Sequence, residues 1–242
     1  MNTTICLDFG NTRLKYAVFE NTHFKNEGVL ANGSVETIKT LLDKYKPQKT
    51  ILSSVVEHDI AIEDLLSAQT RFHKLSHLTT LNFTAPVSKP QTIGADRLAL
   101  VAAAVHFYPN KNNVVIGLGS CITYNFINQN HEFLGGAISP GMEMRFKSMH
   151  DHTALLPLVN PEWNFPVIGY DTKTNLQSGV IAGMAYEIDG FINFYKSRYD
   201  NLNIVLTGGD ATYFASQLKN KIFTDPDFLF KGLYALSEIN NG

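Results

Sequence analysis

Three short stretches place groups able to hold an anion at the ends of apolar runs. Residues 8–12 read DFGNT, 117–121 read GLGSC and 207–211 read TGGDA. A glycine after a strand lets backbone N–H groups come close to an anion, and short hydroxyl or amide side chains add donors; phosphate is the commonest such anion. The first two turns lead into a second strand, which separates them from the Walker loop and the dinucleotide fingerprint, where the glycines open a helix. The third feeds a helix, whose first amides could also face a polar ligand. Asp8 ends a buried run beside Asn11, Thr12, Arg13 and Lys15. An aspartate there can simply cap the turn. Carboxylate, hydroxyl and cations gathered at one tip also suit a hydrated magnesium ion and the phosphates it bridges. Three such turns point to a nucleotide held between two halves.

Asp96 and Arg97, within GADR at 94–97, admit two readings. An acid in the first turn of a helix favours the helix dipole. A carboxylate near an arginine can equally take a proton from a substrate hydroxyl while the arginine holds an anion. His150, Asp151 and His152 form a local cluster that reads as solvated rather than metal-binding. Trp163, the single tryptophan, lies between Pro161 and Pro166 and reads as packing.

These residues need elements to position them. Strands are expected over 3–7, 14–20 and 50–56, each short, rich in β-branched residues and bounded by polar or turn residues. Residues 34–46 space Val35, Ile38, Leu41 and Leu42 as a helix, with Ser34 as N-cap. A second short helix is expected over 59–68 and a third over 94–108, ended by Pro109. Residues 86–91, with two prolines, read as loop. Residues 114–127 then repeat the opening pattern, with Gly119 standing 109 positions after Gly10. A repeat of that length is the mark of two similar α/β halves, 1–110 and 111–242. Residues 135–141 (GGAISPG) read as loop and 179–197 as a long helix. Residues 203–207 read as a strand, Gly208 and Gly209 as a tight turn, and 210–218 as a helix.

Composition narrows the function. The 242 residues carry 20 basic and 22 acidic side chains, a net charge of −2, so no general attraction to nucleic acid or to a membrane surface is expected. No apolar run approaches the roughly 20 residues that span a bilayer, and the N-terminus does not resemble a signal peptide. Cys6 and Cys121 sit in apolar runs, as small buried residues of a reducing compartment do. A cytoplasmic protein is expected.

DFGNTRLK at 8–15, GADR at 94–97, LGGAISPG at 134–141, TALLPLV at 153–159 and VLTGGDA at 205–211 together resemble the type III pantothenate kinases. The motifs run in the right order over almost the whole chain. The resemblance implies the actin-like, sugar-kinase-like superfamily, with two ribonuclease-H-like halves clamping ATP, and phosphorylation of pantothenate toward coenzyme A. It implies ATP, magnesium and a monovalent cation (potassium or ammonium) as cofactors, and a homodimer.

Carried over by position, Asp8, Phe9, Gly10, Asn11, Thr12, Arg13, Leu14 and Lys15 form the first phosphate loop, with Asp8 placing the metal through water. Gly119 and Ser120 belong to the second loop, and Gly208 and Gly209 to the adenosine-side turn. Gly94, Ala95, Asp96 and Arg97 bind pantothenate, with Asp96 as general base, and Thr172 reaches the substrate from the neighbouring subunit. Three positions depart from the family, the mildest being Ser120, which keeps the hydroxyl of a threonine. Gly117 stands where a carboxylate ligates the monovalent cation, and Val87 where a tyrosine contacts pantothenate. Gly117 favours an alternative, a catalytically weakened nucleotide-binding regulator on the same scaffold. Val87 favours another, a kinase for a different small hydroxy acid.

Overall fold

The computed structural model describes residues 2–241. Short β-branched runs build two five-stranded sheets. The first contains β1 (Thr3–Phe9), β2 (Leu14–Glu20), β3 (His23–Val29), β4 (Lys49–Ser54) and β5 (Arg71–Lys74), in the order β3-β2-β1-β4-β5. The second contains β6 (Asn112–Leu118), β7 (Cys121–Ile127), β8 (Phe133–Pro140), β9 (Leu202–Thr207) and β10 (Phe223–Thr224), in the order β10-β9-β6-β7-β8. In both, the first two strands form an antiparallel hairpin and the first strand pairs in parallel with a later one, β4 or β9. The repeat seen in the sequence is thus a repeat of strand order.

Side-chain alternation sorts the first sheet into two faces. Ile5, Leu7 and Phe9 pack with residues of α1 (Val35–Tyr45) and α2 (Ile60–Gln69). Thr4, Cys6 and Asp8 therefore point to the opposite face. That face is covered by α3 (Ala95–Phe107) and α8 (Phe228–Asn240). Phe19 stacks on Tyr234 of α8 at 4.5 Å, and Asn241 donates to the Thr50 carbonyl. Helices α3 and α8 cross so closely that a Cβ on Gly232 would overlap the Ala99 carbonyl oxygen.

In the second unit, Val114, Ile116 and Leu118 of β6 pack with Ile181, Met184, Ile188 and Ile192. The apolar stripe of the helix expected over 179–197 is thus core. Helix α4 (Met142–Asp151) adds Met142 and Phe146 to the same cluster, and α7 (Ala211–Ala215) adds Phe214.

Ser34 caps α1 by accepting from the Thr37 amide, and Asp59 caps α2 in the same way from Ala61. Several sequence expectations are corrected. Residues 135–141 do not form a loop: they lie largely in β8, where Gly135 and Gly136 take φ of +95° and +149°. Gly136 is needed there because a Cβ would overlap the Tyr124 carbonyl of the neighbouring strand. The long helix starts before residue 179. Helix α5 (Thr172–Gln177), capped by Asp171, runs through a π turn (Ser178–Ala182) into α6 (Gly183–Lys196). The helix expected over 210–218 is only the five-residue α7.

Contacts divide the chain into two compact units that do not follow one cut near residue 110. Residues 130–134 and 227–241 fold with 2–110, leaving 111–129 and 135–226 as the second unit.

Candidate functional site

The first unit gathers charged groups where β1 and β4 end. Register places Asp8 between Lys15 on β2 and Ser53 on β4. The Asp8 carboxyl keeps a partial opening to solvent but is packed by protein on most sides. Burial raises its pKa from 3.8 to about 6, the charge of Asp96 pushes the same way, and Lys15 and Ser53 oppose. Asp8 and Asp96 therefore lie near enough to feel each other, although 88 positions separate them in sequence. Burial also raises the Asp96 pKa, opposed by the Arg97 backbone N–H and guanidinium.

Ser53 completes this group, and sequence reasoning missed it. Its hydroxyl is fully buried beside Asp8 yet makes no well-formed hydrogen bond. Ser53 Oγ and the Asp8 carboxylate thus set buried oxygens side by side, with Asp8 as the neighbour the hydroxyl leans on. The oxygen-only chemistry suits a hard cation bridged to phosphate and does not suit a soft transition metal. Among the described residues no three His, Cys, Asp or Glu side chains cluster for direct metal ligation. A cation at Asp8 would keep most of its water. His150 instead bonds through Nδ1 to the Leu156 carbonyl.

Asp96 is held by its own helix start. Gly94 is the N-cap of α3, and a Cβ there would stand 2.5 Å from Asp96 Oδ1. The missing side chain is the space into which the carboxylate folds. The Arg97 guanidinium lies over the Phe133 ring at 5.6 Å, a cation–π contact that fixes its direction. Asn11, Thr12 and Arg13 are exposed around the first turn, closed by the Gly10 amide donating to Arg13 O at 3.2 Å. Neither Gly10 nor Gly119 adopts positive φ. Their value is absent bulk at the tip of each turn, while their own amides close the turns onto Arg13 O and Cys121 O.

The second unit brings its own turns together backbone to backbone. Gly208, with φ of +102°, packs so closely that a Cβ would overlap the Leu118 carbonyl oxygen. A Cβ on Gly141 would likewise overlap the Gly119 carbonyl oxygen, and the Gly141 amide donates to Ser120 O at 3.0 Å. The second turn is thus flanked by Gly208 on one side and Gly141 on the other. Gly117 pairs in register with Thr123 and Thr207, so two threonines are its cross-strand neighbours. Trp163 stacks on Tyr213 of α7 at 4.9 Å and meets Phe214 edge-on, the packing role expected of it.

Two predicted residues lie outside these groups. Val87 is half-buried in the loop before the 3-10 turn Pro90–Thr92, and Thr172 is exposed in the first turn of α5. Cys6 is fully buried, Cys121 is half-buried at the second turn, and both thiols are free.

Repeated α/β units, each with glycine turns at the ends of its central strands, have the two-unit fold of the sugar kinases and actin-like proteins. A Baf family protein from Campylobacter jejuni shares this fold, with a TM-score of 0.61 at 23% identity over 98% of each chain. A ROK family glucokinase from Streptomyces griseus, solved with glucose and AMPPNP, gives a TM-score of 0.52 at 10% identity over 99% of each chain. Within that fold the sequence is more specific. The family described as type III pantothenate kinase matches residues 4–193. A type III pantothenate kinase from Christiangramia forsetii is 42% identical over 98% of each chain. The chain belongs to the type III pantothenate kinase family.

Proposed function

We propose that this chain transfers the γ-phosphoryl group of ATP to the primary hydroxyl of pantothenate, the first step toward coenzyme A. The carrying observation is the electrostatic proximity of Asp96, in the first turn of α3, to Asp8 at the end of β1, both carboxylates being largely buried. A primary alcohol is a poor nucleophile. Asp96 accepts its proton as the alcohol oxygen bonds to the γ-phosphorus and the bond to the ADP oxygen breaks. A raised pKa makes Asp96 a better base for this task than an ordinary surface aspartate. Arg97 suits the pantothenate carboxylate, and its stacking on Phe133 limits the directions it can take.

The first turn and the second turn supply amides and hydroxyls for the phosphates, with Gly208 and Gly209 on the adenosine side. Magnesium fits Asp8, with Ser53 beside it, and when bound it neutralises charge on the phosphate oxygens. Positioning and charge neutralisation then contribute most of the catalysis. On this reading the functional halves divide near residue 110. No described helix is long and apolar enough to cross a membrane, and we assign the enzyme to the cytoplasm.

We also infer a homodimer that uses Thr172. Leu155, Ile168 and Tyr170, on either side of Trp163, are 92%, 88% and 81% exposed. The exposure of Ile168 and Tyr170, just before Thr172 in the chain, is the apolar surface expected to meet a second copy.

The test is turnover with ATP, magnesium and pantothenate, with and without potassium or ammonium. Phosphopantothenate should form and should vanish in Asp96→Asn. The second reading, a nucleotide-binding regulator, is favoured by the missing carboxylate at Gly117. It would be established by ATP binding without turnover under every salt, and that result would refute the kinase.

A further inference from the structure

The geometry points to Arg145 and Glu187 as positioning residues for the second phosphate turn, acting through Gly141. This rests on the reading that Gly119 and Ser120 face the nucleotide.

The argument starts from the turn itself. Within the turn the Gly119 amide donates to the Cys121 carbonyl at 3.0 Å, and Gly119 is exposed. An exposed glycine turn has many accessible conformations, and each one lost on ligand binding reduces affinity. Gly141 holds this turn from one side, with its amide donating to Ser120 O and its Cα lying against the Gly119 carbonyl. The position of Gly141 therefore helps set the position of the turn.

Gly141 is in turn fixed by α4, which it caps, and by Arg145 one turn further on. The Arg145 amide donates to Gly141 O at 3.0 Å. Its guanidinium reaches back along the end of β8, with Nε donating to Pro140 O at 2.8 Å and Nη2 to Ser139 Oγ at 2.8 Å. The same Nη2 forms an ion pair with Glu187 Oε2. Glu187 Oε1 accepts from Tyr124 Oη at 3.0 Å, and the Tyr124 ring is fully buried and stacked on Phe191 at 4.0 Å. Burial and the neighbouring carboxylate keep the Tyr124 phenol protonated, so it remains a donor.

A continuous path thus runs from the core of the second unit to the phosphate turn. Tyr124 orients Glu187, Glu187 orients Arg145, and Arg145 grips the carbonyl that precedes Gly141. The guanidinium suits this role because its planar fork meets the Pro140 carbonyl, the Ser139 hydroxyl and the Glu187 carboxylate at once, which an ammonium cannot do in one plane. Both side chains are only about a fifth exposed (21% and 23%), so water competes weakly for these bonds. None of the three residues is assigned contact with substrate. Their effect should therefore fall on the turn alone.

The experiment compares steady-state kinetics of wild type, Arg145→Ala, Glu187→Gln, Tyr124→Phe and Ser120→Ala, varying ATP and pantothenate separately and recording Tm for each. Arg145→Ala should raise the KM for ATP about tenfold, equivalent to ~1.4 kcal/mol, while the KM for pantothenate stays within about twofold. Glu187→Gln keeps the shape and some hydrogen bonding, and its effect should be smaller in the same direction; Tyr124→Phe should be smaller again. Equal rises in both KM values, or a rise that follows loss of Tm across the series, would mean the network only supports the fold, and would overturn the proposal. An unchanged KM for ATP in Arg145→Ala, with a raised one in Ser120→Ala, would overturn it as well. If Ser120→Ala and Arg145→Ala both leave ATP kinetics unchanged, the assignment of the turn to the nucleotide fails first and the inference falls with it.

Discussion

Replacing Asp8 with asparagine should stabilise the protein in neutral buffer while abolishing its activity. In the folded chain the Asp8 pKa stands near 6, against 3.8 when unperturbed. The folded state thus holds this proton to higher pH than the unfolded state does. Between about pH 4 and pH 6 unfolding releases a proton, so stability falls as pH rises through that window. At about 1.4 kcal/mol per tenfold in proton affinity, the full rise corresponds to ~3 kcal/mol lost by pH 7. The partial opening of the side chain to solvent makes that an upper figure, and 1–3 kcal/mol is the order expected. Asparagine carries no charge at any of these pH values, so the loss should be absent in the variant.

The assay is guanidinium denaturation of both proteins in EDTA at each pH from 4 to 8. The difference between them is the readout, because every other titrating group is common to both. The variant's advantage should be near zero at pH 4, grow through pH 6 and level off above it. Because Asp96 is the second cause of the shift, Asp96→Asn should narrow the window. A difference that does not vary with pH, or one that favours wild type as pH rises, would refute the raised pKa of Asp8, and a window unchanged by Asp96→Asn would refute the electrostatic coupling of the two carboxylates.

Other substitutions probe separate parts of the arrangement. Gly94→Ala adds a methyl that the Asp96 carboxylate must vacate, so kcat should fall about 10- to 100-fold with Tm nearly unchanged; an unaltered kcat would show that the carboxylate does not act from its present position. Gly208→Ala should cost about 3 kcal/mol or more in thermal unfolding, from positive φ and overlap with the Leu118 carbonyl. Its neighbour Gly209, with open space around it, should accept alanine at well under about 1 kcal/mol. In salt titrations, potassium or ammonium should change the rate by less than about twofold for want of a carboxylate at 117, and Gly117→Asp should restore dependence; strong, saturable activation of wild type would contradict this. Ile168→Asp should shift the protein to monomer in sedimentation velocity, and an unchanged sedimentation coefficient would remove the surface near Thr172 as an interface.

Legibility in the sequence followed the strength of local signals. Ser34 before an apolar 3.6-residue period fixed α1, and β-branched alternation fixed β1, β2 and β9. The repeat spacing of Gly10 and Gly119 exposed the duplicated strand order. Strand β3 was missed because HFKNEGV is largely exposed and polar, so its edge position left no apolar alternation to read. Strand β5, only RFHK, was missed for its length. In GGAISPG the glycines signalled a loop, whereas the structure uses Gly136 to let two strands approach. For the candidate site, residue types alone singled out Asp8, Asp96, Arg97 and the three turns, and folding sets Asp8 within electrostatic reach of Asp96. Ser53 was not singled out, since a serine in a buried strand carries no local mark and gains interest only from the strand that pairs beside it. Gly141 and Arg145 were hidden for the same reason: their connection to Ser120 exists only after β8 and α4 have folded.

The placement of α8 bears on how the chain is made. The face of the first sheet that holds Cys6, Phe19 and Ile51 is finished by a helix some two hundred positions downstream, with Tyr234, Asn241 and the Lys49–Glu238 ion pair closing it. At translation speeds of about 5–20 residues per second, that apolar surface waits on the order of ten seconds or more after β4 has left the ribosome. During that interval the hairpin and α3 lack their cover, so a nascent chain stalled before Phe228 is left open to misfolding and to chaperones.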